Sequence, residues 1–84
     1  MNDREELILK ALLRCLKESG DYFTRSSHLL AEVGQKVPRL LATEFDDILA
    51  DAEGKRLVTA VQGHRGPEYK INKNGLGWLS DANL

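Results

Sequence analysis

His64 and Arg65 stand between two glycines, Gly63 and Gly66, with Pro67 directly after them. Such a stretch is a turn by composition. It sets an imidazole and a guanidinium at an exposed tip, where the backbone can approach an anion closely. An arginine so placed suits contact with phosphate oxygens or with a narrow, electronegative groove. The neighbourhood is basic. From Lys55 to Leu79 there are five bases (Lys55, Arg56, Arg65, Lys70 and Lys73) and one acid, Glu68, a balance of +4. The competing reading is that surface hairpins carry lysine and arginine for solubility and to protect sheet edges.

Other reactive side chains do not combine. Cys15, His28 and His64 are scattered, and zinc ligands need closer pairing along the chain. His28 is expected to have no second histidine and no acidic partner at ligand spacing. Ser26-Ser27-His28 reads as a helix start, because a catalytic triad is assembled in space and not by adjacency. Gly63, Gly66, Gly75 and Gly77 do not open a helix after a buried strand, so no phosphate loop of that kind is present. No enzyme chemistry and no cofactor are expected from these residues. Cys15 falls on an apolar stripe and reads as a small core residue.

The elements that must position the tip are legible from apolar spacing. Arg4 to Glu18 carries Leu7, Ile8, Ala11, Leu12, Cys15 and Leu16 on one helical stripe, widened by Leu9 and Leu13. Acids lead this segment and bases trail it, which suits the helix dipole. Gly20 is a credible stop. Arg4, Lys10, Arg14 and Lys17 read as its solvated face. Asp21 to Arg25 is a connection whose aromatics, Tyr22 and Phe23, are expected to pack on that helix. Arg25 precedes a short second helix, capped by Ser26 or Ser27 and running to about Val33, with Gly34 ending it.

A third helix is expected to open at Pro38, a residue favoured at the first helical position. Leu41, Phe45, Ile48, Leu49 and Ala52 give it a continuous apolar face, and Gly54 closes it. A competing start is Thr43, three residues before Asp46 in a capping-box pattern. After Gly54 the texture changes to strand. Leu57 to Val61 is rich in β-branched residues, and Glu68 to Asn72 places Tyr69 and Ile71 on one face. The two form a hairpin across the Gly63–Pro67 turn. Asn74-Gly75 reads as another turn, and Leu76, Trp78 and Leu79 as a short helical turn docked on the body. Trp78 and Tyr69 are expected to close the core beneath the hairpin.

Length and composition bound what these elements can do. The chain has 84 residues, enough for one domain spanning 1–84 with little left over for a deep cleft. Twelve basic and 13 acidic residues leave a net charge of −1, so any nucleic-acid contact must come from a local patch. No apolar run approaches the ~18 residues of a membrane span. The lone cysteine and an acidic, polar N-terminus without an export signal point to a cytoplasmic protein.

Three helices followed by a two-stranded hairpin resemble the winged-helix domain, and the resemblance covers nearly the whole chain. It is carried by Leu49-x-x-Ala52-x-x-x-x-Leu57-Val58, by the glycine-tipped wing from Gly63 to Gly66, and by Tyr69-Lys70-Ile71-Asn72-Lys73-Asn74-Gly75 with Leu79 beyond. Bacterial regulators of this family commonly end the recognition helix with two leucines and then Gly-Leu-Val. Here Ala52 replaces one leucine, and Arg56 stands where the glycine would be.

The resemblance implies an α+β fold: a three-helix winged helix-turn-helix with a C-terminal two-stranded β-hairpin wing. It implies a small bacterial or mobile-element transcription regulator that binds double-stranded DNA. The third helix would enter the major groove and the wing would touch the neighbouring backbone or minor groove. On this sequence those roles fall to Lys36, Arg39 and Thr43 at the groove, and to Lys55, His64, Arg65 and Lys70 at the phosphates; Arg25, ahead of the second helix, is placed to touch a phosphate as that helix's N-terminus does in the family, or else serves the surface alone. Regulators of this kind usually bind as dimers. A homodimer surface is sought in the tail from Leu76 to Leu84 or in the extra apolar residues Leu9 and Leu13.

One feature opposes groove readout. Leu40 through Gly54 holds five acids (Glu44, Asp46, Asp47, Asp51 and Glu53) and no base. Carboxylates brought to phosphates are repelled, and phosphate neutralisation supplies much of the binding energy in such complexes. The alternative function is therefore a winged-helix protein-interaction module, in which the acidic face of the third helix meets a basic protein partner.

Overall fold

A computed structural model describes residues 2–20 and 22–82. Helix α1 (Asp3–Ser19) begins where Asn2 caps it: the Asn2 Oδ1 accepts from the Glu5 N–H at 2.7 Å. Asp3, Glu5 and Glu6 lie in its first turn and Lys17 in its last, favourable at both ends of the dipole. It ends at Gly20, whose φ of 64° is open to glycine at no steric cost. The helix is the axis of the core. Helices α2 (Ser26–Lys36), α3 (Ala42–Gly54) and α4 (Lys73–Ala82) and strand β3 (Gly66–Ile71) all pack against it. Leu9 and Leu13 are consequently buried and belong to the core, not to a dimer surface. Leu7, expected inside, is 48% exposed.

Two helix boundaries differ from expectation. Helix α2 runs through Gly34 to Lys36, and the Val37 N–H still donates to the Val33 carbonyl at 2.9 Å. Leu29, Val33 and Val37 are all fully buried, so one apolar face continues past the glycine. Burying Val37 contributes about 1.5–3 kcal/mol, more than the ~1 kcal/mol that glycine costs inside a helix. Helix α3, in contrast, does not begin at Pro38. Arg39 takes φ 59°, which breaks the helical path, and the helix starts at Ala42 with Leu41 as its N-cap residue. Leu41 is 64% exposed and lies off the core face. Phe45, Ile48, Leu49 and Ala52 form that face as expected.

The hairpin consists of β2 (Val58–Gly63) and β3, joined by His64 and Arg65 alone, a tighter turn than composition suggested. Its register pairs Val58 with Ile71, Ala60 with Tyr69 and Gly63 with Gly66. A third strand, β1 (Thr24–Arg25), pairs antiparallel with β3, matching Thr24 to Tyr69 and Arg25 to Glu68. The sheet order is β1-β3-β2. The architecture is thus α+β, with four helices and a three-stranded antiparallel sheet. The segment before β1 does not cover α1 as expected: Tyr22 is 80% exposed and Phe23 is 40% exposed. Asp21 and the end of the tail at Leu84 lie outside the described residues.

Asn74 and Gly75 are not a loop but the first turn of α4. Asn72 caps this helix, its Oδ1 accepting from the Gly75 N–H at 3.0 Å. The need for glycine at 75 is spatial. A β-carbon there would collide with the Leu57 carbonyl and the Ile71 side chain. Leu79 and Tyr69 are buried, and Trp78 packs half-buried against the same core. No helix among the described residues is long and apolar enough to cross a membrane.

Candidate nucleic-acid interface

Strand alternation sorts the hairpin side chains. Val58, Tyr69 and Ile71 point into the core, so Thr59, Val61, Glu68 and Lys70 lie on the outer face. Because β1 pairs with β3, Arg25 joins that outer face opposite Glu68. Arg25, His64, Arg65 and Glu68 line one open groove of about 290 Å³ at the hairpin tip. Two predicted tip residues are therefore brought together with a second guanidinium, from a strand 40 residues earlier.

Lys70 occupies a separate hollow with Phe23, Thr59, Lys73 and Leu76. Its ammonium lies 5.9 Å from the centroid of the Phe23 ring, within cation–π range. Phe23 thus serves the outer sheet face instead of α1. The register explains it: Phe23 stands one residue before Thr24, across from Lys70.

The residues expected to read a groove sit elsewhere. Lys36 ends α2, Arg39 lies in the α2–α3 turn and Thr43 is in the first turn of α3, all exposed. Thr43 borders a hollow with Glu5, Glu44 and Asp47. Lys55 borders another with Glu5, Asp47 and Asp51, and its ammonium pairs with Asp51 at 3.0 Å. Neither residue shares a hollow with the tip cations. The acids of α3 are displayed, not neutralised by the core: Asp46, Asp47, Asp51 and Glu53 are all exposed. Burial pushes the Tyr69 phenol up, and the charges of Glu53 and Asp46 push it further.

Arg4, expected on a solvated face, instead holds the α2–α3 turn. Its guanidinium pairs with Glu44 at 2.6 and 2.9 Å and donates to the carbonyls of Pro38 and Arg39 at 3.2 Å each. The Glu44 carboxylate also accepts from the Leu41 N–H at 3.4 Å, the one half of a capping box formed here, because leucine has no side-chain acceptor for the Glu44 N–H. The first turn of α3 and the backbone of Arg39 are thereby tied to the start of α1. No sequence pattern signals a contact across 40 positions.

His28 does have an acidic partner: its Nε2 lies 2.7 Å from Glu32 Oε1, one helical turn on. The pair is exposed and local. Cys15 is buried in the core, and burial pushes its thiol up, away from the reactive thiolate. No cluster of three or more histidine, cysteine or acidic side chains suited to a metal ion occurs among the described residues.

No family model, curated protein or solved structure matches the chain.

Proposed function

We propose that this chain is a winged-helix DNA-binding protein that acts as a transcription regulator. The reading is supported by the order of three helices and a glycine-bounded hairpin, with a short strand between the first two helices. The observation that carries it is the convergence of Arg25, His64 and Arg65 at the hairpin tip. Phosphate contacts at such a tip hold the duplex without reading its sequence. Sequence would be read from the Arg39 and Thr43 end of α3, with Lys36 beside it, and a symmetric dimer would place two copies on two half-sites.

The acid-rich exposed face of α3 favours a second reading, a module that binds a basic protein partner. A titration onto mixed-sequence duplex at low and moderate salt separates the two. Binding at low salt that weakens steeply as salt rises supports DNA as the partner. Absence of binding at low salt removes the DNA reading and leaves the protein partner.

A further inference from the structure

Glu68 occupies an unusual position among the tip cations. It is the one acid of the groove that also holds Arg25, His64 and Arg65. Yet no ion pair closes among these four residues. The side chain of Glu68 instead lies across the hairpin over Gly63. A methyl group added at Gly63 would fall 2.5 Å from Glu68 Oε2 and 2.6 Å from its Cδ. The absence of a side chain at 63 is what lets the carboxylate rest there.

Two guanidiniums and an imidazole thus share one groove with a single carboxylate that closes no ion pair with them. Like charges gathered in a concave site repel one another, and an anion placed among them relieves that repulsion. Guanidinium groups bind phosphate oxygens through paired N–H donors, which a carboxylate that closes no ion pair with them leaves unused. We infer that this groove is a binding site for one phosphate group, held by Arg25 and Arg65 with His64, and that Glu68 is its internal counter-anion, lowering affinity by repelling the ligand.

The inference rests on the proposed function only for the source of that phosphate, which is either the nucleic-acid backbone or a free phosphate. Its new content is the joining of Arg25 to the tip cluster through β1, and Glu68 as the acid that tunes the site.

The test uses the full chain, Arg25→Ala and Glu68→Gln, each checked for an unchanged fold by circular dichroism. Inorganic phosphate is titrated at constant ionic strength while backbone amide shifts are followed by NMR. The expected result is a saturable shift centred on Arg25, His64, Arg65 and Glu68. Glu68→Gln should tighten it roughly three- to tenfold, the effect of removing one like charge a few ångströms away in a wet groove. Arg25→Ala should weaken or abolish it. No saturable shift, or equal affinity in all three proteins, overturns the inference. A mixed-sequence duplex is then titrated onto the same proteins. Tightening by Glu68→Gln there identifies the backbone as the source. A phosphate response without duplex binding leaves the site standing and removes the DNA reading. Duplex binding indifferent to both substitutions, with no phosphate response, does the reverse.

Discussion

The side-chain amide of Asn72 donates to the carbonyl oxygen of Arg56 at 2.6 Å, joining the end of the hairpin to the turn that enters it. Asn74 donates to the same oxygen at 3.2 Å. Arg56 itself takes φ 60°, the left-handed region. The position that the winged-helix resemblance would fill with glycine therefore has a glycine-like backbone here, while holding an arginine.

Arg56→Gly is accordingly expected to stabilise the protein. The left-handed conformation costs a residue with a β-carbon about 1–2 kcal/mol, and glycine's extra chain entropy takes back about 0.5–1 kcal/mol. A net gain of up to about 1.5 kcal/mol should appear as a higher denaturation midpoint. A loss of stability would show that the Arg56 side chain contributes more than its backbone costs.

Asn72→Ala should destabilise by about 0.5–2 kcal/mol, the usual range for a lost N-cap. The same amide also serves the Arg56 carbonyl, so the cost should fall toward the upper end. Urea unfolding measures it. A change below about 0.3 kcal/mol would mean that water replaces both contacts.

Gly75→Ala tests the close approach of α4 to the β2 entrance. The added methyl meets backbone at Leu57, which cannot swing aside as a side chain can. Overpacking of this kind costs about 1–3 kcal/mol, despite alanine's better helix propensity. Gly77→Ala is the control: nothing lies within 4 Å of its β-carbon position. It should be neutral or stabilising, and equal effects at 75 and 77 would contradict the packing.

The Arg4–Glu44 contact predicts a pH dependence. The hydrogen bond from Arg4 holds the Glu44 carboxyl below the usual carboxylate range. A group depressed on folding adds stability above its unfolded pKa and loses it as pH falls through the folded value. The melting-temperature gap between the parent and Glu44→Gln should therefore be present at neutral pH and close in acid below the carboxylate range. The pair is solvent-accessible, so the gap is small. A gap that persists unchanged into strong acid would assign it to packing.

The charged face of α3 gives the last prediction. Asp46→Lys with Asp47→Lys removes two exposed acids and adds two bases. Under the proposed function it tightens duplex binding and steepens the salt slope by up to about 0.9 per new phosphate contact. Arg65→Ala acts oppositely, lowering the slope by about 1 for all sequences. Unchanged duplex binding after charge reversal would place DNA away from α3.

Local physics was readable in the chain. The apolar periods of α1 and of α3 from Phe45 on, the Gly20 stop and the alternation of Tyr69 and Ile71 depend on near neighbours, and these stretches stand where spacing placed them. So did the basic tip, because a two-residue turn bounded by glycines must be exposed. The departures have a common cause. The flexibility of Gly34 and Gly75 predicts breaks, but burial of Val37 carries α2 past one, and the Leu57 carbonyl explains the other. Pro38 is a good helix opener by propensity, yet Arg39 turns left-handed and Arg4 holds its carbonyl from 35 positions away. Strand β1 has two residues and no periodicity to detect; it exists because β3 offers an unpaired edge. Arg25 reaches the tip groove through that pairing alone. Contacts distant in sequence are set by which faces meet on burial, and a one-dimensional pattern holds each face without holding its partner.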